Sequence, residues 1–150
     1  MTMREILFKA KRIDNGEWVE GNIILSKDAD EEYKAIIIPS VNSNMFTEDS
    51  GNEDLGFENW YKVYPSTICQ YTGLTDKNGQ KIWENDIVRY TDMIIGVEKI
   101  DLIEWNETHA SFVRLHRSKM GLQYLNIDEF IANGCEVIGN IFDNLELLSE

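Results

Sequence analysis

The chain has 150 residues, of which 43% are hydrophobic and 27% charged, and its 27 acidic against 14 basic side chains give a formal net charge of −13. This is the composition of an ordinary globular protein long enough to bury a core, and no apolar run approaches the ~18 residues of a membrane span, so no membrane partner is expected. Carboxylates outnumber cations about two to one along both halves, which disfavours phosphate binding and suits solubility, with imitation of nucleic acid as the sharper alternative.

The start, "MTMREILFKAKR", has basic residues but no apolar stretch leading to a small-residue cleavage site. It reads as a first strand, and the cytoplasm is the expected location. Two alternating runs, "EILFKAKRI" and "EWVEGNIIL", flank Asp14-Asn15-Gly16, whose residues tolerate positive φ, so a β-hairpin is expected to open the fold. An acidic connector over 26–34 leads into "AIIIPS", a short apolar strand closed by Pro39. Residues 41–59 show many turn formers and little periodicity. A long loop is expected there, and with it an interaction surface.

A second block begins near Val63, dividing a β-rich N-terminal region, 1–62, from residues 63–150. "YKVYPSTICQYTGL" reads as extended, Asn78-Gly79 supplies a tight turn, and "KIWENDIVRYT" gives another strand. "VEKIDLIEW" and "ASFVRLHRS" form an antiparallel pair across "NETH". "NIDEFIAN" has Asn126 or Asp128 as a cap and Gly134 beyond its end, which predicts a short helix. "CEVIGNIFDN" returns to strand, and "NLELLSE" ends in one helical turn. Short strands between regular turns point to a mainly β chain, with minor helix and a small SH3-like barrel in the second part.

The segment from Gln70 to Val88, "QYTGLTDKNGQKIWENDIV", holds the densest pattern. Asn78 and Gly79 make the turn, Ile82, Ile87 and Val88 suit a core, and Glu84-Asn85-Asp86 stand where a strand is entered. A sharp acidic turn before an "IV" strand is met in small SH3-like barrels, where the carboxylate caps free backbone N–H groups. Asp86 is therefore expected to be structural, as are Asn78, Gly79 and Asn85.

This stretch, with "EVIGNIFDNLELL" at 136–148 and the opening "MREILFKAK" from Met3, resembles the YopX family of phage and prophage proteins over essentially the whole chain. Family members usually carry glycine where Asn85 stands, often proline at Leu145, and frequently arginine at Lys9. Asn tolerates left-handed geometry, so the turn survives the first departure. The resemblance implies an all-β-rich N-terminal part, an SH3-like barrel, homo-oligomers and a host-cell cytoplasmic setting. The family's biochemical function is unassigned, so the resemblance brings no catalytic or binding residues.

Among possible chemistries, Glu84 and Asp86 as metal ligands or acid–base groups lack a nearby histidine and an alternating calcium loop. His109 and His116 are the only histidines and read as exposed strand residues rather than a catalytic pair. Cys69 and Cys135 lack zinc or redox spacing and read as buried thiols. There is no phosphate loop or dinucleotide fingerprint. No catalytic residue, metal or cofactor is expected. Binding candidates are Trp60 and Trp83, as aromatic anchors in a core or an interface, and Arg114 and Arg117, in the basic cluster "RLHRSK". The function expected is a non-enzymatic, self-assembling module that contacts host or phage proteins. The alternative is a nucleic-acid-associated accessory protein using the small basic patch, which the net charge disfavours.

Overall fold

A computed structural model of the chain describes residues 3–40, 45–49 and 53–149. By internal contacts the chain divides into two compact units, Met1–Gln70 and Tyr71–Glu150. The division falls after Gln70 rather than after Lys62, because Val63 packs with Ala10, Ala35 and Ile37 in the core of the first unit. The mainly β class expected from the sequence is what the chain adopts.

In the first unit, β1 (Phe8–Lys11) and β2 (Trp18–Leu25) form the opening hairpin, with Phe8 opposite Gly21 and Lys11 opposite Trp18. β3 (Ala35–Pro39) follows on the far side of β2. Its unbroken apolar run suits a strand buried on both faces, and Ala35, Ile37 and Ile38 are all buried. The 41–59 segment is not simply a loop. It contains β4 (Met45–Asp49) and β5 (Glu53–Phe57), paired antiparallel with Met45 opposite Phe57 and Asp49 opposite Glu53. Residues 41–44 and 50–52 of that expected loop lie outside the described residues.

β6 (Tyr61–Lys62) completes the order β6-β3-β2-β1, and the first residues of β7 (Cys69–Thr75) pair with β1. Thr67 ties the unit together before β7 begins. Its hydroxyl accepts from the Lys11 amide at 2.9 Å and donates to the Tyr64 carbonyl at 2.8 Å.

In the second unit, the remainder of β7 pairs with β8 (Lys81–Trp83). β9 (Asp86–Thr91), β10 (Glu98–Asn106), β11 (Ser111–Ser118), β12 (Gly121–Asn126) and, after helix α1 (Glu129–Ala132), β13 (Glu136–Asn140) make a five-stranded antiparallel sheet of order β12-β11-β10-β9-β13. The barrel expected here takes the form of this open sheet and the β7–β8 hairpin, since no ladder joins β12 to β13 among the described residues. Ile87 and Val88 are adjacent in β9, point to opposite faces and are both fully buried, so both sides of the sheet are covered at that strand.

The core on the Val88 side unites Ile82, Ile103, Ala132 and Cys135 with Leu74, Tyr90, Ile127, Ile131 and Val137. Each fully buried isoleucine or valine contributes about 1.5–3 kcal/mol by leaving water. Asp128 caps α1, accepting from the Ile131 amide at 2.9 Å, and Leu145–Leu148 form the final turn as a 3-10 segment.

Candidate functional site

The turn of the 70–88 stretch is held by a residue the sequence reading passed over. Asp76 is buried, and one carboxylate oxygen accepts from the amides of Asn78 and Gln80, each at 2.9 Å. Its other oxygen accepts from the Val137 amide at 2.9 Å, so the same side chain fastens β13 to the turn. Gly79 has φ 77°, as a tight turn requires, and its amide donates to the Asp76 carbonyl. Asp86 is buried and accepts from the Trp83 amide at 2.8 Å. Asn85 stands at φ 71°, in the left-handed region, and exchanges backbone bonds with Ile103 and Ile141.

The four binding candidates do not converge. Trp83 is buried against Tyr71, ring centroids 5.6 Å apart. Trp60, in the first unit, is half-exposed beside Ile13, Asp14, Tyr61 and Lys62. Arg114 and Arg117 leave opposite faces of β11, because side chains alternate along a strand. Arg117 is exposed, whereas Arg114 is buried, donates to the Asn126 carbonyl at 2.9 Å and lies 3.4 Å from Asp101. The patch expected from "RLHRSK" is therefore split, and one of its cations is internal.

Asp101 is 0% exposed and organises this inner cluster. It receives Arg114 on one oxygen and His116 Nδ1, at 2.6 Å, on the other. The Arg114 guanidinium also stacks 4.9 Å from the Tyr90 ring centre. Burial, reinforced by the Asp101 charge, holds the Tyr90 phenol well above the ordinary tyrosine range. His116, expected to be an exposed strand residue, is instead largely enclosed through this contact. His109 lies in the exposed turn before β11, bonded to Asn106, so the two histidines sit toward opposite ends of the strand. Cys69 and Cys135 are buried thiols in different units, and burial pushes the Cys135 thiol up. Among the described residues no cluster of three or more His, Cys, Asp or Glu could hold a metal ion.

The most exposed apolar group of the second unit is the β9–β10 turn. Met93 is 92% and Ile94 94% exposed, with Ile95 and Val97 also in solvent. The turn is nonetheless built with care. Asp92 accepts from the amides of Ile94 and Ile95, pairs with Lys99 at 2.6 Å, and exchanges backbone bonds with Val97 and Gly96. These contacts hold Asp92 below the usual carboxylate range, the Lys99 bond contributing most. A signal was present in the sequence: three successive apolar residues between an Asp and a Gly are out of place in a solvated turn. Asp101 could also have been found, since pairing β10 with β11 across "NETH" puts it opposite His116.

A family model described as YopX protein matches residues 7–149. Among solved structures, the chain is similar to protein EF1440 from Enterococcus faecalis, with a TM-score of 0.59 and 23% identity over 97% of this chain and 99% of that chain. At that identity the likeness concerns the fold alone. No curated protein matches. The near full-length family match, over a chain whose turns and strands fall where its motifs stand, makes this protein a member of the YopX family.

Proposed function

We propose that this YopX-family protein is a non-enzymatic interaction module of phage or prophage origin, which self-assembles and acts in the host cytoplasm through contacts with host or phage proteins. The observation that carries the reading is the β9–β10 turn, where an ordered scaffold around Asp92 holds Met93, Ile94 and Ile95 in water. Covering a side chain of this size contributes about 1.5–3 kcal/mol, so three together supply the apolar centre that protein interfaces use. The nucleic-acid alternative has less support, because Arg114 is engaged with Asp101 and leaves Arg117 and Lys119 as the exposed cations of that cluster.

The test replaces Ile94 and Ile95 with serine and follows sedimentation together with capture of partners from cells carrying the induced prophage. Both positions are exposed, so thermal unfolding stays near that of the parent. The expected result is at least a tenfold weakening of self-association or of partner capture. Unchanged assembly and capture in the double variant, or a parent protein that does neither, would remove the reading.

A further inference from the structure

β12 is the last strand of its sheet, and no strand pairs with its outer side among the described residues. Edge strands in soluble proteins are blunted by charge, proline, bulges or brevity. "GLQYLN" has no charge and no proline, and its register against β11 is unbroken over all six residues. Leu122 is 54% and Tyr124 56% exposed. Both lie on the sheet face that carries Leu115 and Arg117, since Leu122 is opposite Arg117 and Tyr124 opposite Leu115.

On that face is a groove of about 390 Å³ lined by Ile100, Leu102, Leu115, Leu122, Leu147 and Leu148, with Arg117 at its side. Of the other charges there, Lys99 pairs with Asp92, and Glu98 lies 3.8 Å from Arg89. Arg117 has no ion-pair partner among the described residues, and neither has Lys119 in the turn before β12. The protein therefore places one uncommitted cation, Arg117, at a leucine-rich groove and a second, Lys119, in the turn that leads into an open strand edge, although its net charge is −13. Past the other end of β12 stands exposed Glu129.

We infer that β12 and this groove bind the C-terminal end of a partner protein, added as an antiparallel strand whose terminal carboxylate meets Arg117 and Lys119 and whose last apolar side chain enters the groove. The strand edge specifies an extended backbone. The leucines specify an apolar side chain on the groove face, and the free cations specify a carboxylate at the end lying beside Gly121. A basic residue upstream in the partner falls toward Glu129. A second copy of this chain is the poorer occupant, because each copy brings its own −13 to the contact. The groove adjoins the β9–β10 turn through Lys99, which pairs with Asp92, but Met93, Ile94 and Ile95 do not line it.

The test uses fluorescein-labelled synthetic peptide mixtures six residues long, matching β12, with a fixed C-terminal Leu, Val or Ile, randomised elsewhere, and made as free acids and as C-terminal amides. Fluorescence anisotropy is expected to show binding of the acids, with the amides about tenfold weaker and a similar loss in Arg117→Glu. Methylating alternate peptide nitrogens abolishes binding, and binding protects the amides of 121–126 from hydrogen exchange. The Ile94→Ser, Ile95→Ser variant binds as the parent does, which separates failure here from failure of the proposed function. Acids and amides of equal affinity, or no binding by any mixture, would overturn the inference. So would hexanoate binding in the groove with equal affinity and no protection of β12, which would mark a small-molecule site. Loss of self-association in Leu122→Lys without peptide binding to the parent would instead make the edge an interface between copies.

Discussion

Asp76 shows how one side chain can set a local fold. Three backbone amides, from Asn78, Gln80 and Val137, depend on the two oxygens of this buried carboxylate, and a hydrogen bond to a charged group contributes about 1.5–3 kcal/mol. Asp76→Ala should therefore destabilise the second unit by about 3–5 kcal/mol. Asp76→Asn retains one accepting oxygen and should lose less, giving up either the turn or the β13 link. Denaturant unfolding of the two variants checks the order, and equal losses would mean that the bonds do not act separately. Asn85 is a contrasting case, because the backbone sets its requirement. At φ 71° a β-branched residue is strained, so Asn85→Val should cost about 1–2 kcal/mol while Asn85→Gly stays within about 0.5 kcal/mol. Asn85 and the Asn78-Gly79 turn were legible because their chemistry is local. For Asp76 only the bonds to Asn78 and Gln80 are local, while the link to Val137, far along the chain, leaves no trace in the sequence around it.

Among the elements, those with a local signature were legible and those stabilised by a ladder were not. The opening hairpin is announced by Asp14-Asn15-Gly16, and α1 by its Asp128 cap. β4 and β5 lie in an acidic, turn-rich sequence whose local preferences favour loop, and their pairing overrides that preference. β12 has no charged residue to mark its outward face, so no alternation announces it. The division of basic residues between faces was legible in principle, since Arg114 and Arg117 differ by three positions and cannot share a side of a strand. Close approach between strands leaves even less trace. A Cβ built at Gly21 would overlap the Ile38 carbonyl, whose atoms belong to the backbone and cannot swing aside. Gly21→Ala must therefore push β2 from β3, at an expected cost of more than about 3 kcal/mol. Hydrogen exchange should quicken in β2 and β3 while β9–β11 remain protected. Uniform protection in the variant would show that the strands absorb the methyl group.

Over the whole molecule, charge sets the pH range in which this protein is stable. Asp14, Asp92 and Glu136 are each held below the ordinary carboxylate range, chiefly by hydrogen bonds from Arg12, Lys99 and Arg89 respectively. A carboxylate depressed in the folded state adds stability above its unfolded pKa, near pH 4, and that contribution is lost as pH falls through the lower folded value. Opposing it between pH 7 and 5, partial neutralisation of the −13 charge relieves self-repulsion. At the alkaline side the signs reverse. Tyr90 and Cys135 are raised by burial, so their neutral forms favour the fold, and stability falls as pH climbs above their unfolded values toward the folded ones. The expected profile from urea midpoints is thus flat or slightly rising from pH 7 to 5, falling below about 4 and above about 9. Tyr90→Phe lowers the plateau by the loss of its contact with Asp101 but flattens the alkaline fall in the second unit, and Glu136→Gln flattens the acid one. An alkaline limb of undiminished slope in Tyr90→Phe would assign that fall to the general charge of the chain, and moderate salt, which screens exposed charges, would then restore stability at high pH.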